Sequence, residues 1–249
     1  MVLLRKLTNN FYLIACVISI ICTNYLLCQS DDNSLPFVTN EKLNYKLYYN
    51  GIKAGSATMK INKKNIGGKN FIELNSEIKT NSFVDLFYKI RDDITVYMNY
   101  NDFSLLKVTN KIHEGLYKKN HTAIFDINSN NIVTAKKKIK IDKAYSPLSI
   151  IYSLRNELLN INDIYKYHIY NLGKIKKIDM KVVDQEMIKT SFGKFNAIVV
   201  SPVSNNDSSI IRNNGDMKIW FTNDENRYPI KIELKINYGR LVLLLNDIE

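Results

Sequence analysis

The chain has 249 residues, 45% of them hydrophobic and 24% charged, with a net charge of +11 and a mean hydropathy of −0.21. Its three cysteines, Cys16, Cys22 and Cys28, all lie near the N-terminus, so the rest of the chain can form no disulfide, thiolate nucleophile or cysteine metal site. The basic balance does not point to nucleic acid, because no recognition-helix pattern accompanies it.

Residues 1–30 read as a cleaved export signal. Arg5 and Lys6 form a positive start, Phe11 to Cys22 is an apolar run of 12 residues, and Cys28-Gln29-Ser30 places small residues where a signal peptidase reads. The run is shorter than the ~20 residues a membrane span needs. Ile21 and Leu27 precede Cys22 and Cys28 where a lipoprotein needs a small residue. Cleavage after Ser30 leaves a single β-rich domain over 31–249 with a net charge of +9. It is expected to be exported, periplasmic and monomeric, with association with the outer membrane left open.

Asp31 to Val38 is a polar lead-in. Leu43, Tyr45, Leu47 and Tyr49 alternate with polar residues and Tyr48, which predicts a first strand. Asn50-Gly51 is a hairpin turn signal. Ala54-Gly55-Ser56-Ala57 opens the return strand, its small residues marking close approach of another backbone or a ring. Gly67-Gly68 turns the chain into a strand over Phe71 to Thr80. Ser82, read as an N-cap, begins a short helical segment to Tyr88 carrying Phe83, Leu86 and Phe87. Strands follow over Ile90–Met98, Lys107–Gly115, Tyr117–Asp126 and Ile132–Ile141.

Ser146-Pro147 is an N-cap followed by proline at the first helical position, and Leu148, Ile151, Leu154 and Leu158 form an apolar stripe ending near Leu159. This predicts one long helix. Strands resume at Tyr165–Tyr170, Ile178–Thr190 and Phe195–Pro202, followed by a polar loop over Asn205–Gly215. The chain ends in a three-stranded meander around Lys218–Thr222, Ile230–Ile236 and Leu241–Leu245. In its middle strand Ile230, Ile232, Leu234 and Ile236 alternate with Lys231, Glu233 and Lys235. The expected fold is mainly β: a curved antiparallel sheet or half-barrel of about a dozen strands, with the long helix packed on or in it.

Chemistry-bearing motifs are scarce. There is no G-x-S-x-G, P-loop or G-x-G-x-x-G, so no catalytic residue, cofactor or metal is expected. His113 and His121 are placed to face each other across a hairpin, without a carboxylate to complete a metal site. Asp92 and Asp93 point to opposite sheet faces and cannot act as an acid–base pair. The aromatics, 16 Tyr and 10 Phe, read either as an ordinary core or as the lining of a lipid-sized cavity. Arg91 and Arg155 sit in apolar surroundings, where each either pairs with a carboxylate, such as Glu186 or Asp142, or meets an anionic head group. The candidate ligand-binding residues are Arg91, Arg155, Trp220, Tyr45 and Tyr152. The lysine clusters Lys136-Lys137-Lys138-Lys140 and Lys174-Lys176-Lys177 read either as a solvated strand face or as attraction to anionic lipid.

An ordered set of short segments runs through the chain: Leu43-Asn44-Tyr45 with Gly51-Ile52-Lys53-Ala54-Gly55, Ser149 to Arg155, Val183 to Thr190 with Gly193, Val200-Ser201-Pro202, and Ile219-Trp220-Phe221-Thr222-Asn223-Asp224 with Pro229. In these the sequence resembles the bacterial exported proteins of the domain of unknown function 3108 family, departing at Asn223, where the family more often has Asp. The resemblance implies an envelope protein, distantly similar to the outer-membrane lipoprotein carriers (LolA/LolB-like), whose half-barrel wraps a helix around an apolar cavity. It implies no activity.

The expectation is therefore an exported protein that holds a lipid or acyl chain between the sheet and the helix. The alternative is a structural or assembly factor binding another envelope protein, which a filled core with an exposed apolar patch would favour. An outer-membrane barrel and a glycan- or lipid-acting enzyme are weaker readings.

Overall fold

The computed structural model describes residues 40–191, 193–203, 217–236 and 239–249. The stretch read as an export signal, the polar lead-in, the loop over 205–215 and parts of the turns at 191–194 and 237–240 lie outside the described residues. The strands are β1 (Lys42–Tyr49), β2 (Ile52–Ile66), β3 (Lys69–Thr80), β4 (Arg91–Asn99), β5 (Leu105–Glu114), β6 (Tyr117–Asp126), β7 (Asn131–Thr134), β8 (Lys138–Lys140), β9 (Ile164–Asn171), β10 (Lys174–Lys189), β11 (Lys194–Val203), β12 (Met217–Thr222), β13 (Pro229–Ile236) and β14 (Gly239–Ile248). Two helices, α1 (Ser82–Asp85) and α2 (Pro147–Arg155), interrupt them.

All strands join one antiparallel sheet of 14, in the order β8-β7-β6-β5-β4-β3-β2-β1-β14-β13-β12-β11-β10-β9. Every step but one is a hairpin or meander between neighbours in sequence. The exception pairs β1 with β14. Asn50 and Gly51 both adopt left-handed φ, 48° and 82°, so the β1–β2 turn takes the geometry that matches strand twist.

Side-chain alternation puts the core on one face. Leu43, Tyr45 and Leu47 of β1, Ile72 and Leu74 of β3, and Ile230 and Ile232 of β13 are buried. Lys231 and Glu233 take the other face of β13 and pair at 3.2 Å; Leu234, near the strand end, is only half-covered. Gly55 fits because a Cβ there would overlap the backbone carbonyl of Lys79, which is the close approach the small residues predict.

The two ends of the sheet curl toward each other. Ladder irregularities at Asn44/Tyr45, Leu47/Tyr48, Tyr97/Met98, Val182/Asp184 and Trp220/Phe221 add bend. The segment after β8 straps the ends together. Leu105 of β5 donates its N–H to Ala144, while Tyr145 donates to His168 and accepts from Tyr170, both on β9. Inside the curl α2 reaches both flanks: Pro147 and Leu148 lie beside Ile94 and Val108, and Ser153 meets the Tyr167 hydroxyl at 3.3 Å.

The helical expectation needs correction. The short segment expected from Ser82 is α1, ending at Asp85, while the expected long helix is a nine-residue α2 that ends at Arg155, not near Leu159. Asn156 caps it with its N–H turned back to Ser153 and Leu154. Leu159 then takes a left-handed φ of 53° and tucks inward, leaving Leu158 exposed, so the apparent stripe continues past the last helical turn. At α1 the cap is Asn81, whose Oδ1 accepts the Val84 N–H at 2.9 Å, and Ser82 is already inside the helix. The strand expected over Ile132–Ile141 divides into β7 and β8, because Thr134 Oγ1 accepts the N–H groups of Lys136 and Lys137 and closes a turn. β10 starts four residues earlier than expected, at Lys174.

Candidate functional site

Of the five residues singled out from sequence, the fold brings three together. Arg155 at the end of α2 is fully buried and forks onto Glu41, its Nη1 and Nη2 donating to the two carboxylate oxygens at 2.6 and 2.8 Å. Its Nε donates to the Asn226 carbonyl at 3.0 Å, and the guanidinium lies against the rings of Tyr152 and Tyr228. Tyr45 donates its hydroxyl to the Pro229 carbonyl at 2.9 Å. Burial pushes the phenols of Tyr45 and Tyr152 up, so both stay neutral. This cluster ties the first strand, the helix and the β12–β13 turn into one core.

Arg91 and Trp220 lie elsewhere. Arg91 pairs with Asp85 of α1, with Nη2 and Oδ2 2.5 Å apart, and also meets Thr80 Oγ1 and the Ile90 carbonyl. Trp220 donates its indole N–H to Glu186 at 2.5 Å, and Lys231 sits 3.8 Å above its ring. The carboxylates proposed for the arginines thus serve others: Glu186 takes the indole, and Asp142 accepts from Asn130.

A groove of about 1010 Å³ opens at the sheet seam, where sequence reasoning placed no site. β6 pairs with β7 only over Ala123–Asp126, so among the described residues its Tyr117–Thr122 half has no strand on that side. Across the gap stand the β9–β10 turn, Leu172-Gly173-Lys174, and the β7–β8 turn, Thr134 to Lys137. The walls carry Ile124, Val133, Ala135 and Leu172 together with six lysines, Lys111, Lys118, Lys119, Lys136, Lys137 and Lys174, and, among the described residues, no carboxylate. His121 closes one end of the seam through a 2.7 Å hydrogen bond to the Tyr170 hydroxyl. Burial, then the charge of Lys119, lowers its pKa. Such walls can hold an anionic head against ammonium groups and an aliphatic tail against the side-chain stems. Arg91 lines a recess of about 270 Å³ that shares Lys111, Lys118 and Lys119 with this groove. The two lysine clusters seen in sequence meet here only through the fold.

One other expectation changes and one holds. The histidines do not face each other across the β5–β6 hairpin, where His113 pairs with Lys118 and His121 with Asn110. Asp92 has no partner in Asp93 but shares a hydrogen bond with Glu114, and burial raises the pKa of both carboxyls. Their spacing of 22 positions hides the pair from any local motif.

Comparison with known proteins decides the family. The family model described as "Protein of unknown function (DUF3108)" matches residues 44–246. The chain belongs to the DUF3108 family. No curated protein matches this DUF3108 chain. Among solved structures, a β-barrel-like protein of domain of unknown function DUF1849 from Brucella abortus superimposes with a TM-score of 0.58 at 8% identity, covering 85% of this chain and 98% of that one. It shares the fold. An exported protein with a YmcC-like fold from Bacteroides fragilis aligns at a TM-score of 0.39 and 11% identity, over 86% of this chain and 98% of that one. A lipoprotein from Parabacteroides distasonis aligns at 0.38 and 12%, over 85% and 96%.

Proposed function

We propose that this DUF3108 protein is an exported cell-envelope protein that binds an anionic amphiphile, a lipid or acyl chain with a negative head, in the groove at the sheet seam. The observation that carries the reading is the groove wall itself: six lysines, aliphatic side chains and, among the described residues, no carboxylate around about 1010 Å³. The N-terminal signal pattern supports export. The site differs from the one expected beneath the helix, where seven of the nine α2 residues are buried. Affinity comes from ~25 cal/mol per Å² of buried tail and from several ammonium–anion contacts.

Titration with lysophosphatidylglycerol and lysophosphatidylcholine of equal chain length, below their micellar concentrations, tests this. The anionic lipid is expected to bind at least tenfold more tightly, and Lys136→Glu with Lys174→Glu to remove that preference. Equal binding of both lipids, or none, would sink the reading.

A second reading, an assembly factor for another envelope protein, draws on the burial of α2 and on large apolar side chains exposed at one end of the sheet, among them Leu86, Phe87 and Leu116.

A further inference from the structure

Antiparallel strands send alternate turns to opposite ends of the sheet. The start of β2, the β3–β4 connection with α1, and the β5–β6 turn therefore share one end. That end carries Ile52, Phe83, Leu86, Phe87 and Leu116 in solvent. Leu86 and Phe87 are each 78% exposed, Phe83 65%, and Leu116 is fully exposed. Side chains of this size in solvent at one tip need a reason, because scattered surface apolars do not cluster this way.

The three pieces are held together. Asn81 donates its backbone N–H to Ala54 and its side-chain amide to the Lys53 carbonyl, fixing α1 to the root of β2. Gly115 donates its N–H to Lys89, and the Tyr88 ring packs where a Cβ on Gly115 would stand. Phe83 and Phe87 meet edge to face at 5.8 Å. The tip is thus a built surface, not three loose loops.

Its exposed collar is basic. Lys53, Lys89 and Lys118 ring the apolar residues and are exposed. Of the nearby carboxylates, Asp85 is held by Arg91, and Glu114 and Asp92 are half-buried and hydrogen-bonded to each other. Exposed Phe and Leu tips inside a lysine collar, with Tyr88 at the boundary, match the interface of an anionic bilayer, where rings and aliphatic tips enter the acyl boundary and ammonium groups meet phosphate.

We propose that this end of the sheet docks on an anionic lipid surface by inserting Phe83, Leu86, Phe87 and Leu116. The inserting residues are not groove walls, and of the collar only Lys118 is shared with the groove, so tip and groove can fail separately.

Depth measurement by spin label tests it in the full chain. Cys16, Cys22 and Cys28 are replaced by Ser, and a single nitroxide is placed at Leu86→Cys, at Leu116→Cys, or at Lys69→Cys on the opposite end. Vesicles of phosphatidylcholine with phosphatidylglycerol are expected to shield the labels at 86 and 116 from a water-soluble relaxation agent and expose them to oxygen, leaving the label at 69 unchanged. Leu86→Ser with Phe87→Ser is expected to cut the vesicle-inserted fraction of the label at 116 at least tenfold, and Lys89→Glu about fivefold. The comparison is internal to the chain, so anchoring by the N-terminal stretch cannot mimic it. Labels at 86 and 116 that stay as wet as the label at 69 overturn the proposal and leave the tip to a protein partner. Equal insertion into phosphatidylcholine alone overturns the role of the lysine collar.

Discussion

Arg155 and Glu41 form a two-bonded ion pair with no exposure of the arginine, joining the end of a helix to the residue that leads into the first strand 114 positions earlier. Removing one partner leaves the other charged in the core. Glu41→Ala is expected to destabilise the protein by about 3–5 kcal/mol, read as a lowered urea midpoint. Replacing both by apolar residues, Glu41→Leu with Arg155→Met, should recover most of that loss. A single variant as stable as the parent would show that the pair adds nothing.

Gly55 gives a sharper packing test. Ala at this position forces its methyl group onto the Lys79 carbonyl and pushes β2 from β3. Gly55→Ala should cost about 1–3 kcal/mol by overpacking, whereas Gly51→Ala meets open space and suffers only from its left-handed φ of 82°. Thermal unfolding of the two variants side by side separates the causes.

The Asp92–Glu114 pair makes stability depend on pH in a defined direction. Both carboxyls have a raised folded-state pKa, burial first and, for Glu114, the Asp92 charge next. The folded state therefore holds protons the unfolded chain has released. The contribution is full below the unfolded values of 3.8 and 4.5 and is lost as pH rises through the folded ones. Glu114→Gln should raise the melting temperature at about pH 8 and make little difference near about pH 4. The opposite ordering would rule out a shared proton.

The seam can be loosened without touching the core. Tyr170→Phe deletes the 2.7 Å bond to His121 at a cost of about 1 kcal/mol. Hydrogen exchange should quicken at the amides of Tyr145 and Tyr170, which hold the strap to β9, and stay unchanged along β1 and β14.

Much of this fold was readable because its strands obey a period of two. The buried Leu43, Tyr45 and Leu47, and the opposed faces of Ile230–Lys231–Ile232, follow from alternation alone. The Asn50-Gly51 turn and the Ser146-Pro147 start of α2 follow from local backbone chemistry. What escaped is what tertiary contact decides. The end of α2 is set by Asn156 and by the inward turn of Leu159, against the pull of an apolar stripe. The groove was illegible because Lys118, Lys136 and Lys174 become neighbours only when the sheet curls. Glu41, the partner of Arg155, gives no signal at all in the polar residues between the lead-in and the first strand.

The pairing of β1 with β14 joins residues as far apart as Lys42 and Glu249, 207 positions along the chain. Each half of the sheet can assemble from local hairpins, but the ladder that unites them requires the longest loop closure in the molecule. A chain emerging from a ribosome cannot complete this ladder until β14 is free. That order makes β14 the latch between two half-sheets that are otherwise built from neighbouring hairpins.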